Sequence, residues 1–119
     1  GSSNAVAFVM KKLNIDFLKV SRRKEHVHGV INYNEVSGEL LKDYNIVINT
    51  SPAGMFPKMD EYPSLPYESI TSQHYFFDLI YNPAKTLFLS LAEEYGAFIE
   101  NGDKMLSIQA EESWDIWND

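Results

Sequence analysis

The densest run of side chains able to do chemistry is Ser21-Arg22-Arg23-Lys24, three consecutive cations and a hydroxyl in a chain whose formal charge is -7. A guanidinium binds phosphate through two parallel hydrogen bonds, and an ammonium binds it as a point charge. The run therefore suits a phosphate dianion better than it suits a solvated turn. A second candidate is Asn49-Thr50-Ser51, which ends the β-branched run Ile46-Val47-Ile48 and leads into Pro52-Ala53-Gly54-Met55. Its amide and hydroxyls could hydrogen-bond a ribose or an amide edge. They could equally cap the loop, as Asn, Thr and Ser before proline do, and composition alone favours the cap. Asp78 and Tyr81, a carboxylate inside an aromatic strand and a phenol at its end, face a ligand or serve structure. Gln109 sits among Met105, Ile108 and Ala110 on an otherwise apolar helix, where a semi-buried amide needs a partner; a structural amide is the simpler reading. His26, His28 and His74 have no partners at metal-ligand spacing, so no metal site is expected. Lys11, Lys12 and Lys104 read as helix-surface charges.

The elements that must position these groups alternate along the chain. Asn4–Leu13 carries Val6, Val9, Met10 and Leu13 at helical spacing, with Ser3 or Asn4 as N-cap. Ile15–Val20 alternates apolar and polar as a strand does, and Ser21–His28 is a polar break. Ser37–Tyr44 reads as a short helix and Asn45–Asn49 as a buried strand. A long loop, Thr50–Gln73, holds four of the five prolines and a single helical turn near Tyr67–Ile70. His74–Ile80 is a further strand, Thr86–Tyr95 a helix that Gly96 stops, and Ala97–Ile99 a short strand. Gly102–Trp117 is the longest expected helix, with Leu106, Ala110, Trp114 and Trp117 along one stripe. Alternation of this kind predicts an α/β fold, a doubly wound parallel sheet.

In a dinucleotide-binding fold the first strand enters a Gly-rich turn, and the helix after it offers free N–H groups to a pyrophosphate. Gly1-Ser2-Ser3 stands just before the first helix and is either the tail of such a turn or a cloning remnant. About 20 residues beyond that turn the fold places the group that reads the adenosine ribose: an acid for the 2′-hydroxyl of NAD, arginine for the 2′-phosphate of NADP. Ser21, Arg22 and Arg23 fall at that spacing.

Bulk properties narrow the class further. With 119 residues the chain is long enough for one domain with a core, and the absence of cysteine excludes disulfides and thiolate chemistry. Acidic balance argues against nucleic acid, which needs clustered cations. No apolar run approaches the roughly 18–20 residues that span a bilayer. A cytoplasmic setting and a small polar ligand are expected.

Taken in order, these stretches resemble the cofactor-binding domain of the shikimate dehydrogenase family. "GSSNAVA" resembles the end of its Gly-rich turn, and "VSRRK" its short basic motif, often Asn-Arg-Thr. "NTSPAGM" is very close to Asn-Thr-Thr/Ser-Pro-x-Gly-Met. "DLIYNPAKTLFL" is similar to Asp-x-x-Tyr-x-Pro-x-x-Thr-x-Leu-Leu, and "NGDKMLSIQAEESWDIW" to Gly-x-x-Met-Leu-x-x-Gln-Ala with its apolar helix. The resemblance covers essentially the whole chain. It implies NADP as cofactor, touched by Ser2, Ser3, Ser21, Arg22, Arg23, Asn49, Thr50, Leu79 and Gly102. It implies shikimate or 3-dehydroshikimate as substrate, approached by Tyr81 and Gln109. It also implies that no catalytic residue lies in this chain: a lysine–aspartate pair belongs to the family's other domain.

By the same resemblance the sheet lacks its first, central strand and has a gap beside the second, so the chain is expected to be part of a longer polypeptide and inactive alone. "SRRK" departs from Asn-Arg-Thr, which keeps an NAD-preferring quinate/shikimate dehydrogenase open. A non-catalytic nucleotide-binding module is the alternative from another class, and a third is an interaction domain built on Trp114 and Trp117. A homodimer stays open.

Overall fold

A computed structural model of the chain describes residues 2–22 and 29–102. The chain order is α1 (Ser2–Lys12), β1 (Lys19–Ser21), β2 (Val30–Asn32), α2 (Gly38–Asp43), β3 (Ile46–Asn49), β4 (Tyr75–Asp78), α3 (Leu87–Glu94) and β5 (Phe98–Glu100). Single 3-10 turns at Tyr33–Glu35 and Tyr67–Ser69 complete it. Among the described residues all pairings are parallel, as the alternation requires, and they form two separate sheets: β1 with β2, and β3–β4–β5 in that order. The break falls between β1 and β3.

Several boundaries move for identifiable reasons. The strand expected over Ile15–Val20 begins only at Lys19, where Val30 stands opposite to pair with it. The Ser3 or Asn4 cap is overturned, because both residues already lie inside α1. β2 has no counterpart in the sequence reading. Its end is marked by a capping box: Asn32 accepts from the Asn34 N–H at 3.2 Å, and the Asn32 N–H donates to Glu35 at 2.7 Å. The long helix expected over Gly102–Trp117, with Trp114 and Trp117, lies outside the described residues beyond Gly102.

The core belongs to the larger sheet. β4 alternates half-buried and buried positions, so Phe76 and Asp78 share its inner face. Phe76 meets Phe88 of α3 with ring centroids 4.9 Å apart, and Tyr67 approaches from the long loop at 6.5 Å. The Tyr67 hydroxyl donates to the Pro63 carbonyl at 2.6 Å, which pins the proline-rich loop after its exposed tip at Met55–Tyr62. His74 ties α2 to this sheet: Nδ1 accepts from the Thr71 N–H at 3.0 Å, which leaves Nε2 to donate to the Leu41 carbonyl at 2.8 Å. α3 starts at Thr86, whose hydroxyl accepts from the Leu89 N–H. It ends in a Schellman motif, with the Gly96 N–H on Glu93 and the Ala97 N–H on Ala92, and Gly96 at φ 96°.

Phe88 is 1% exposed at the centre of this cluster. Phe88→Ala is expected to cost about 3–5 kcal/mol and Phe88→Leu under about 1.5, read as shifts in the denaturant midpoint. Equal losses in the two variants would show that ring volume is not what this site needs.

Candidate functional site

Within each sheet the strands run the same way, and the residues that follow β1, β2 and β3 border one cavity, at carboxyl ends of the kind where open α/β sheets bind ligands. Among the described residues five chain segments follow the strands there: Arg22 after β1, Tyr33 after β2, Thr50-Ser51 after β3, Leu79–Tyr81 after β4, and Asn101-Gly102 after β5.

The post-β3 loop is built on Asn49, which is 4% exposed. Its Oδ1 accepts from the Ser51 N–H at 3.1 Å and the Ser51 hydroxyl at 2.6 Å. Its Nδ2 donates to the Ala53 carbonyl at 3.3 Å and to Asp78 at 3.2 Å. Two donors and two acceptors are all an amide has, so the Asn49 side chain is spent holding the loop. Gly54 closes the turn at φ 97°, with Thr86 and the Glu61 carbonyl so near that a Cβ would be crowded. Proline, glycine and this amide fix where Thr50 and Ser51 stand; Thr50 is half-buried beside the cleft between the sheets.

Asp78 joins that loop to its neighbours. Fully buried, it accepts from Asn49, from the Ile80 N–H at 3.0 Å and from the Thr86 hydroxyl at 2.7 Å. One carboxylate therefore ties β3, the post-β4 turn and the start of α3. Burial pushes this carboxyl above the usual aspartate range, and the three hydrogen bonds pull it back. Of the alternatives for Asp78, ligand-facing or structural, the geometry assigns the structural one.

The turn that Asp78 holds carries Leu79 and Tyr81. The Leu79 N–H donates to the Asn49 carbonyl at 3.2 Å, and the Gly102 N–H donates to the Ile80 carbonyl at 3.2 Å. Any Cβ at Gly102 would overlap the Leu79 carbonyl, so the two segments touch backbone to backbone. Leu79 and Gly102, paired only by motif in the sequence, are thus neighbours in space. Tyr81 projects 55% exposed from the same turn.

On the other sheet, Ser21 and Arg22 border a cavity of about 270 Å³ with Tyr33, Ser51, Pro52, Ala53 and Glu61. Tyr33, at the end of β2, is half-buried; burial pushes its phenol up, and the Arg22 guanidinium draws it back. A guanidinium, a carboxylate, a phenol and hydroxyls suit a phosphorylated sugar better than a bare anion. Tyr33 and Glu61 are lining residues that sequence reasoning missed. The Asn32…Glu35 capping box was the available signal, since it places Tyr33 just past a strand end. Ser2 and Ser3 occupy the first turn of α1 rather than a turn before it, where backbone N–H groups lack helical partners. Arg23 and Gln109 lie outside the described residues.

No family model matches the chain. It is similar to a shikimate dehydrogenase (NADP(+)) of Methanococcus maripaludis, 34% identical over 131 residues, covering 98% of this chain and 46% of that protein. Among solved structures it is similar to a chorismate mutase/shikimate 5-dehydrogenase fusion protein from Clostridium acetobutylicum. That likeness has a TM-score of 0.80 and 38% identity, covering 99% of this chain and 43% of the other. A shikimate dehydrogenase in complex with NADP+ gives a TM-score of 0.66 at 31% identity, covering 92% of this chain and 34% of that one. The chain spans less than half the length of the curated relatives it matches. The likeness bears out the Rossmann-like class expected from the sequence.

The Asp78 carboxyl titrates higher in the folded protein than in the unfolded chain. From about pH 4 upward the fold holds a proton that the unfolded chain releases, so this group's contribution to stability falls as pH rises through the folded value. Asp78→Asn cannot titrate. Its stability relative to the parent is expected to improve steadily across that window in denaturant titrations at stepped pH. A difference independent of pH would show that the carboxyl titrates alike in both states.

Proposed function

This chain is homologous to shikimate dehydrogenases over nearly its whole length, and we propose that it forms the cofactor-binding part of an enzyme that reversibly reduces 3-dehydroshikimate to shikimate with NADP. The observation that carries the reading is the cavity at the carboxyl edge, where Arg22 stands beside Tyr33 and the Asn49-built loop. Its residues fit the adenosine end of a dinucleotide that bears an extra phosphate, with Arg22 and Arg23 neutralising the 2′-phosphate. NADP would supply the hydride acceptor in the oxidation direction, and the donor in reverse.

The protein groups have separable tasks. Ser2 and Ser3, at the start of α1, offer N–H groups toward the pyrophosphate. Ser21 and Thr50 border the adenosine ribose, and Asn49 positions the loop that brings Thr50 there. Leu79 and Gly102, held backbone to backbone, form the wall for the nicotinamide. Tyr81, exposed at that edge, and Gln109 reach toward the substrate. The proton of the reacting hydroxyl is handled by groups outside this chain.

In the full-length protein, Arg22→Ala is expected to raise the KM for NADP by about 10- to 100-fold, the loss of a charge-assisted phosphate contact, while leaving any rate with NAD unchanged. Adding Arg23→Ala should deepen that loss. The assay is the initial rate of nicotinamide reduction with shikimate. Turnover with NAD alone would overturn the cofactor assignment, and no turnover with either nicotinamide would favour a nucleotide-binding module.

A further inference from the structure

The cavity beside Arg22 is bordered by a second charge, Glu61, to which the cofactor assignment gives no task. Ser51, which shares the cavity, is spent: its hydroxyl donates to Asn49 and accepts from the Ala53 N–H at 3.3 Å. Among the described residues the Glu61 carboxylate makes no hydrogen bond or ion pair, Arg22 included. Two opposite charges thus border one space without neutralising each other. The backbone at Glu61 is fixed. Its N–H donates to the Lys58 carbonyl at 3.3 Å, and its own carbonyl packs over Gly54, where an added Cβ would come within 3.2 Å of it. The long loop therefore returns to the turn after β3 and brings Glu61 to the cavity that Arg22 borders.

An ionised carboxylate only accepts hydrogen bonds. On the adenosine end of a phosphorylated dinucleotide, the 2′-phosphate and the ring nitrogens are acceptors as well. The groups that Glu61 can pair with are therefore a ribose hydroxyl and the 6-amino group of the base. The ribose falls to Ser21 and Thr50 in the reading above, which leaves the amine. We propose that Glu61 reads the base: its carboxylate accepts from the 6-amine of adenine, and it selects an amino-purine dinucleotide over an oxo-purine one. Val20, Pro52 and Ala53 give the ring apolar surface. A 6-oxo purine would set a carbonyl oxygen against the carboxylate, acceptor facing acceptor, and a site built to receive a donor rejects the analogue that lacks it. The inference rests on the proposed binding of an adenine dinucleotide in this cavity, and not on the substrate or on hydride transfer.

The test measures binding to the full-length protein by isothermal titration calorimetry. It compares NADP with nicotinamide hypoxanthine dinucleotide phosphate, whose base carries a 6-oxo group in place of the amine. The parent is expected to bind NADP about 10- to 100-fold more tightly, the range of one charge-assisted hydrogen bond. Glu61→Gln, whose amide both donates and accepts, should bring that ratio below about threefold. Glu94→Gln, at an exposed acid of α3, should leave it unchanged. A parent that binds both dinucleotides alike would overturn the proposal. So would a Glu61→Gln variant that binds both more tightly at an unchanged ratio, because Glu61 would then act on the phosphates by charge alone. Either result with shikimate oxidation intact strikes this inference and leaves the proposed function standing. Failure of the parent to bind NADP strikes both, and NADP binding without shikimate turnover strikes the reaction alone.

Discussion

The arrangement of the carboxyl edge depends on one buried carboxylate. Asp78 reaches its place because strand periodicity puts it on the same face as Phe76, under the start of α3. An ionised group there would cost several kcal/mol if left unpaired. It is satisfied by three donors from three different segments. That requirement explains the residue types around it: an amide at Asn49, a hydroxyl at Thr86 and a free N–H at Ile80 must all be present together. What looks in the sequence like separate motifs, Asn-Thr-Ser-Pro-Ala-Gly and Asp-x-x-Tyr-x-Pro-x-x-Thr, is one hydrogen-bonded joint.

The joint determines which residues remain available to a ligand. Asn49, Ser51, Thr86 and Asp78 turn inward and define the loops, while Thr50, Leu79 and Tyr81 alternate with them or follow them. Gly102 enters by a different constraint, a backbone contact too close for any side chain. The site therefore combines inward polar groups that fix the loops with neighbouring positions whose backbone and side chains face outward, and neither set works without the other.

Most of the larger sheet could be read from the sequence because its signals are local. Ile46–Ile48, the aromatic strand around Phe76, the Thr86 cap and the Gly96 stop each announce an element within a few residues. The capping alternative for Asn49 was legible for the same reason, since Asn before Ser-Pro forms an Asx-type turn with its own backbone. What escaped was long-range or short-lived in sequence. β2 is three residues long, too short to show a period, and Tyr33 reaches the Arg22 cavity only because β2 pairs with β1. The early start of α1 was missed because Ser3 and Asn4 are residue types that favour caps, whereas the helix already includes both. Asp78 gave no sequence cue to its role, since a carboxylate in an aromatic strand has the same spelling whether it binds a ligand or three neighbours.

The two sheets are unequal in what holds them. The buried cluster of Tyr67, Phe76, Phe88, Leu89 and Ala92 lies wholly within the β3–β5 half, where α3 covers β4 and β5. The β1–β2 pair contributes no residue to it and meets the rest of the chain across the apolar cleft. Yet the Arg22 cavity straddles both halves, with Arg22 and Tyr33 on one and Ser51–Ala53 on the other. Its shape therefore depends on how the two halves meet across the cleft as much as on the residues that line it. In this protein the precision of a ligand site at the edge is a property of the sheet beneath it.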